Sequence, residues 1–176
     1  LNKPEIYSDF EREQLAIKEK GNKDFLAYFK KLADKRKDSN HDNWMSAYNY
    51  LTAFSNGSLK FNQLNETFLN EFKEYLLNVK SRKSEKTTLS QNSALSYFNK
   101  VKATLKEAYK DGFLQIDLNA RIATIKPAET RREFLTIEEL NRLVKTPCNN
   151  LLLKQAALFS ALTGLRFSDI QKMTWN

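Results

Sequence analysis

Large apolar side chains recur along this chain at three- and four-residue intervals, the spacing that gathers them on one face of an α-helix. Phe25, Tyr28, Phe29 and Leu32 fall at i, i+3, i+4 and i+7. Trp44, Ala47, Tyr48 and Leu51 repeat the spacing, Phe54 continues it, and Gly57 supplies a C-terminal stop. Phe61 and Leu64 flank a short connection. A further helix from about Asn65 turns Phe68, Leu69, Phe72, Leu76 and Val79 inward. Leu95, Phe98, Val101, Leu105 and Ala108 then form the face of a long helix that ends at Asp111-Gly112. These elements predict one helical bundle over residues 22–112.

The flanking segments read differently. Residues 5–20 predict a highly charged helix with a thin apolar face of Ile6, Phe10, Leu15 and Ile17, so 1–21 is expected to be a linking helix or the tail of a preceding region. Residues 81–88 hold no apolar side chain and predict an exposed linker. Periodicity fades again over 113–133, which contains Pro127 and the pair Arg131-Arg132, and this segment is expected to join two domains. Order resumes at Thr136-Ile137-Glu138-Glu139, where the Thr hydroxyl and the Glu three residues on can form a capping box. Helices are predicted over about 137–146, 150–163 and 167–173, with Trp175 placed to begin a strand. The chain starts at Leu1 without Met and stops just after Trp175, so it is expected to be a piece of something longer, with 134–176 the first part of a truncated domain.

Composition narrows the class. Four Gly and three Pro in 176 residues disfavour a turn-rich β-sandwich, and with 41% hydrophobic residues the chain can build a core. The single Cys148 has no internal disulfide partner, and one His with one Cys cannot make a four-ligand zinc site. No apolar run approaches the ~20 residues of a membrane span, and no signal peptide opens the chain. The expectation is a mainly α, soluble, cytoplasmic protein without metal or small-molecule cofactor.

Charge then changes the picture. The net charge is +8, but residues 1–79 are balanced, whereas 80–110 hold eight basic side chains against Glu85 and Glu107. Lys102, Lys106 and Lys110 recur every four residues, and such a like-charged ridge repels itself by ~0.2–0.5 kcal/mol per pair. A polyanion would relieve that repulsion, and release of counterions from phosphates is its usual driving force. Candidate DNA-binding residues are Arg82, Lys83, Lys86, Lys100, Lys102 and Lys106, with Arg131 and Arg132 in the joining segment. Gln91, Asn92, Ser93 and Ser96 suit base-edge or phosphate contacts, and capping or solvation would suit them equally.

The sharpest motif is Thr163-Gly164-Leu165-Arg166-Phe167-Ser168-Asp169-Ile170. It stops an apolar helix at a glycine and mounts a guanidinium just beyond, where the planar fork can bind two phosphate oxygens at once. Ser168-Asp169 can cap or begin the next short helix.

This motif resembles the first catalytic-arginine box of the tyrosine recombinases, the phage and transposon integrase family. Phe134-Leu135-Thr136-Ile137-Glu138-Glu139-Leu140 is similar to the opening of that family's catalytic domain. Residues 22–112, closing on Ala108-Tyr109-Lys110-Asp111-Gly112, resemble its helical SAM-like core-binding domain. The resemblance implies a site-specific recombinase that cuts and rejoins DNA through a 3′-phosphotyrosyl link, with Arg166 as a catalytic residue gripping the scissile phosphate. It implies duplex DNA as partner, a clamp of two domains with the basic fifth helix at a major groove, and a tetramer on two DNA sites. The family's other catalytic groups, a Lys, a His-x-x-Arg box and the Tyr nucleophile, lie downstream of this box, so this piece alone is expected not to cut DNA. Two other classes stay open at this point: a non-catalytic DNA-binding module related to recombinases, and a basic helical protein-interaction domain.

Overall fold

The computed structural model describes residues 8–82, 84–129 and 133–174 and, for Glu85, the backbone alone. The chain divides into two units, 1–129 and 130–176.

The first unit is the predicted bundle. α1 (Asp9–Gly21) opens on a capping box in which Ser8 and Glu11 satisfy each other's backbone amides. Its apolar face is less used than its pattern suggests: no residue of α1 is buried, and Phe10 is 69% exposed. Ile6 lies outside the described residues. α2 (Phe25–Asp34) is capped by Asp24, and α3 (Asp38–Phe54) is followed by Gly57 at φ 82, the left-handed geometry that suits glycine at a helix end. After a 3-10 turn at Phe61–Gln63, α4 (Glu66–Asn78) begins under the Asn65 side chain. α5 (Gln91–Lys110) is the long helix, N-capped by Ser90.

The apolar stripes meet as expected. Phe25, Phe29, Leu51, Leu69, Phe72, Leu76, Phe98, Val101 and Leu105 are fully buried, and Trp44 anchors beside Phe29 at a ring separation of 5.4 Å. Tyr28 on α2 donates to the Asp111 carboxylate at the end of α5 (2.6 Å). Burial, followed by that hydrogen bond and the Asp111 charge, pushes the Tyr28 hydroxyl well above its usual pKa. A tyrosine whose folded pKa is raised loses its stabilising effect as pH climbs past the unfolded value near 10. Tyr28→Phe is therefore expected to lower stability by ~1 kcal/mol at pH 7 and to flatten the fall in stability above about pH 10, read by urea unfolding across pH. An unaltered alkaline profile would assign that fall to other groups, of which Tyr75, also raised by burial, is the first candidate.

Two segments depart from the sequence reading. The stretch expected to be an exposed linker is an antiparallel hairpin, β1 (Lys80–Ser81) with β2 (Ser84–Thr88). Its described side chains stay mostly in solvent, so an apolar pattern had nothing to report. The segment read as an interdomain joint from 113 is bundle as far as Ile125. Leu114, Leu118, Ile122 and Ile125 are buried in the same core, and α6 (Leu118–Arg121) packs on α5.

The second unit contains α7 (Ile137–Lys145), α8 (Leu151–Thr163) and α9 (Phe167–Ile170). The Thr136–Glu139 capping box is present with both of its hydrogen bonds. None of the three helices has a buried residue. Trp175 lies outside the described residues. Among the described residues no helix is long and apolar enough to cross a membrane.

Candidate nucleic-acid interface

α5 has two polar flanks, and the fold treats them differently. One carries Gln91, Asn92, Asn99 and Lys102, and along it runs the extended segment 122–128. Gln91 Nε2 donates to the Lys126 carbonyl (2.8 Å), the Ala128 amide donates to Asn92 Oδ1 (3.0 Å), and Thr124 donates to Asn99 Oδ1 (2.6 Å). Lys102 Nζ donates to the Ile122 carbonyl. Burial lowers the Lys102 pKa, and the charge of Lys73 lowers it further, while Asp117 opposes both. Three of these side chains satisfy backbone groups of the segment, and Asn99 accepts from its Thr124 hydroxyl. Three of them, Gln91, Asn92 and Lys102, are sequence-predicted DNA contacts.

The lysine ridge is thereby broken up. Lys102 is spent on Ile122, and Lys110 pairs with Glu107 at 2.9 Å, which leaves Lys106 exposed between them. Lys102→Met is accordingly expected to act on stability, by ~1–3 kcal/mol through the orphaned Ile122 carbonyl, and much less on affinity for a polyanion. Urea midpoints measured beside a binding titration check both halves.

The other flank of α5 is open. Ser93, Ser96, Tyr97 and Lys100 follow one another along it, and Tyr97 stacks on Tyr50 of α3 at 5.4 Å. The Tyr50 hydroxyl in turn accepts the backbone amide of Arg82 (2.9 Å), which fixes the hairpin turn against the bundle. Arg82 and Lys86 are exposed, and Lys100 is half-buried one turn beyond Ser96. Arg82 makes no ion pair among the described residues. The sequence-predicted Lys83, Arg131 and Arg132 lie outside the described residues. The structure thus brings Arg82 and Ser93 to one cleft, with Lys86 on the same hairpin and Ser96 and Lys100 further along that flank of α5. What sequence reasoning missed is the tyrosine stack, along with Ser46 and Asn49 of α3, whose only signal was their place on the polar side of a core helix.

In the second unit α8 ends at Gly164, φ 71, and Arg166 stands at the start of α9 in extended conformation, exposed and without an ion pair among the described residues. Ser168 and Asp169 do not cap α9; they lie in its first turn, with the Ser168 hydroxyl 3.4 Å from the Asp169 carboxylate. His41 sits beside Asp34 and Asp42 at 3.7 and 3.6 Å in the first turn of α3. Cys148 is exposed. Among the described residues no cluster of His, Cys, Asp or Glu could hold a metal ion.

These features define a helical bundle with a basic hairpin and helix flank on one side. The model of the phage integrase SAM-like domain matches residues 24–122, and the chain belongs to that family: it carries a core-binding domain of the tyrosine recombinase and integrase type. The matched span ends at Ile122, inside the extension of the core past Gly112. Comparison with curated proteins and with solved structures gives no match.

Proposed function

We propose that this chain binds duplex DNA through the hairpin and the open flank of α5, as part of a tyrosine-type site-specific recombinase. The observation that carries the reading is the coincidence of an integrase SAM-like domain with the chain's concentration of basic residues over 80–110. Neutralising phosphates with Arg82, Lys86 and Lys100 supplies a sequence-independent affinity, and the neutral side chains of α3 and α5 orient the duplex.

In this reading the second unit belongs to a catalytic domain, and Arg166 is its phosphate-gripping arginine. The guanidinium donates two N–H groups to the non-bridging oxygens of the scissile phosphodiester. A tyrosine hydroxyl attacks the phosphorus, the bond to the 5′ oxygen breaks, and that oxygen takes up a proton. The charge that builds on the non-bridging oxygens during this exchange is what the arginine stabilises. The 3′-phosphotyrosyl link keeps the energy of the original ester, so rejoining to a second 5′-hydroxyl needs neither ATP nor metal. The cytoplasm, and a tetramer on two DNA sites, are the setting this reading entails.

Changing Arg82, Lys86 and Lys100 together to Ala is expected to weaken duplex binding at least tenfold. The dependence of log K on log salt should flatten by about 0.9 for each phosphate no longer neutralised. Fluorescence anisotropy with a labelled duplex at several salt concentrations measures both. Unchanged affinity and slope would remove this surface from the interface.

A further inference from the structure

Between α3, the hairpin and the first turns of α5 lies a cleft of about 390 Å³. We infer that it is the seat of one phosphodiester group of the DNA backbone, held by Arg82 and by the uncharged donors Asn49, Tyr50 and Ser93. This rests on the DNA-binding reading above and assigns one interaction within it.

The chemistry of the lining is one-sided. Among the described residues that line the cleft there is one cation, Arg82, and no carboxylate; the rest are hydroxyl-bearing residues, Asn49 and Leu89. A cleft that gathers several hydrogen-bond donors around a guanidinium and excludes acids selects an anion with more than one acceptor oxygen. The donors also have hydrogens to give. The Tyr50 hydroxyl accepts the Arg82 amide, so its own hydrogen is uncommitted. Ser90 Oγ donates to Ser93 Oγ at 2.9 Å, which occupies an acceptor site on Ser93 and leaves the Ser93 hydrogen for another group. The Asn49 amide has no partner among the described residues.

The frame around these groups is rigid where it matters. The Arg82 backbone is tied to Tyr50, Tyr50 is buried and stacked on Tyr97, and Tyr97 belongs to α5 itself. The guanidinium therefore projects from a turn fastened to the two helices that carry the other donors. Lys100 lies two turns beyond Ser93 on the same open flank, placed for a neighbouring phosphate on the same strand. The opposite flank is closed by the segment 122–128, so a duplex that uses the polar groups of α5 approaches from the side of the cleft.

The test uses Ser93→Asp, Ser93→Ala and Arg82→Gln in the 176-residue chain, with a labelled duplex and with inorganic phosphate as probes. Ser93 is the third residue of α5, where a carboxylate favours the helix, so Ser93→Asp is expected to fold with an unchanged or slightly raised melting temperature. The same carboxylate would stand against a bound phosphate and is expected to cost roughly tenfold or more in duplex affinity. Ser93→Ala should cost only about two- to threefold. Arg82→Gln should cost about fivefold and reduce the salt slope by about 0.9. Amide shifts of Tyr50, Arg82 and Ser93 should move with duplex, and inorganic phosphate at equal phosphate concentration should neither reproduce the shifts nor displace the DNA.

If the unaltered chain binds no duplex, the DNA-binding reading and this inference fall together. If it binds duplex, and Ser93→Asp and Arg82→Gln bind equally well, the cleft is not a phosphate seat while the wider reading stands. Shifts produced by inorganic phosphate without competition against duplex would overturn the assignment to DNA.

Discussion

If the proposed recombinase reading holds, Arg166→Ala in a full-length protein that contains this chain is expected to lower the yield of covalent tyrosyl–DNA adduct on a nicked suicide substrate by roughly 10²–10³-fold. Duplex affinity and melting temperature should not change. The separation follows from where the residue sits. Arg166 is exposed just after a left-handed glycine cap, makes no ion pair among the described residues, and lies in a unit whose helices bury no residue. Its removal therefore leaves no cavity and no orphaned charge, and the loss falls on the step in which phosphate charge develops. Arg166→Lys should recover only part of the activity, because a point charge does not reproduce the two-pronged hydrogen bonding of a guanidinium. Adduct formed at the normal rate by Arg166→Ala would strike out the catalytic assignment and leave the DNA-binding one untouched.

The second large effect is on the fold. Phe72→Ala is expected to destabilise the bundle by ~3–5 kcal/mol, a large part of the ~5–15 kcal/mol that holds a domain of this size together. Phe72 is fully buried on α4, with its ring centred 5.4 Å from that of Phe54 on α3 and 6.4 Å from that of Phe98 on α5. Deleting it opens a cavity where three helices meet, and the surrounding rings cannot all move in to fill it. Phe10→Ala, which removes a ring of the same size from a 69% exposed position on α1, should change stability by less than about 0.5 kcal/mol. Chemical denaturation of the two variants side by side makes the comparison. Equal losses would mean that α1 packs far more firmly than its exposure shows.

The bundle was legible because its helices bury one stripe each, and a buried stripe leaves a three-and-four spacing that local sequence displays directly. The cap at Thr136 and the glycine stops at Gly57 and Gly164 were legible for the same local reason. The hairpin over 80–88 was not, since its described side chains face mostly solvent and two short strands pair through backbone groups that no pattern of side chains records. Leu114, Leu118, Ile122 and Ile125 did carry the helical spacing, but only Leu118–Arg121 among them is helix; Pro127 and the Arg pair drew the segment into a joint.

The candidate interface divides along the same line. That charge concentrates over 80–110 is a property of composition and was plain in the chain. Which flank of α5 stays open was not, because Gln91, Asn92 and Lys102 find their partners in backbone groups 20 to 36 residues away. A polar side chain on a helix surface looks the same in sequence whether it meets water, a phosphate or a carbonyl of its own chain. The cleft beside Arg82 escaped notice for a related reason, since its walls come from three elements that only tertiary packing brings together.

The central claim, that this chain binds duplex DNA through its phosphates, is tested most directly by anisotropy of a labelled duplex titrated with the 176-residue protein as salt is raised. The account predicts binding at low salt that weakens steeply, with a log–log slope of about −0.9 per phosphate neutralised and so roughly −3 for Arg82, Lys86 and Lys100 together. Absence of binding at low salt, or binding indifferent to salt, would contradict it.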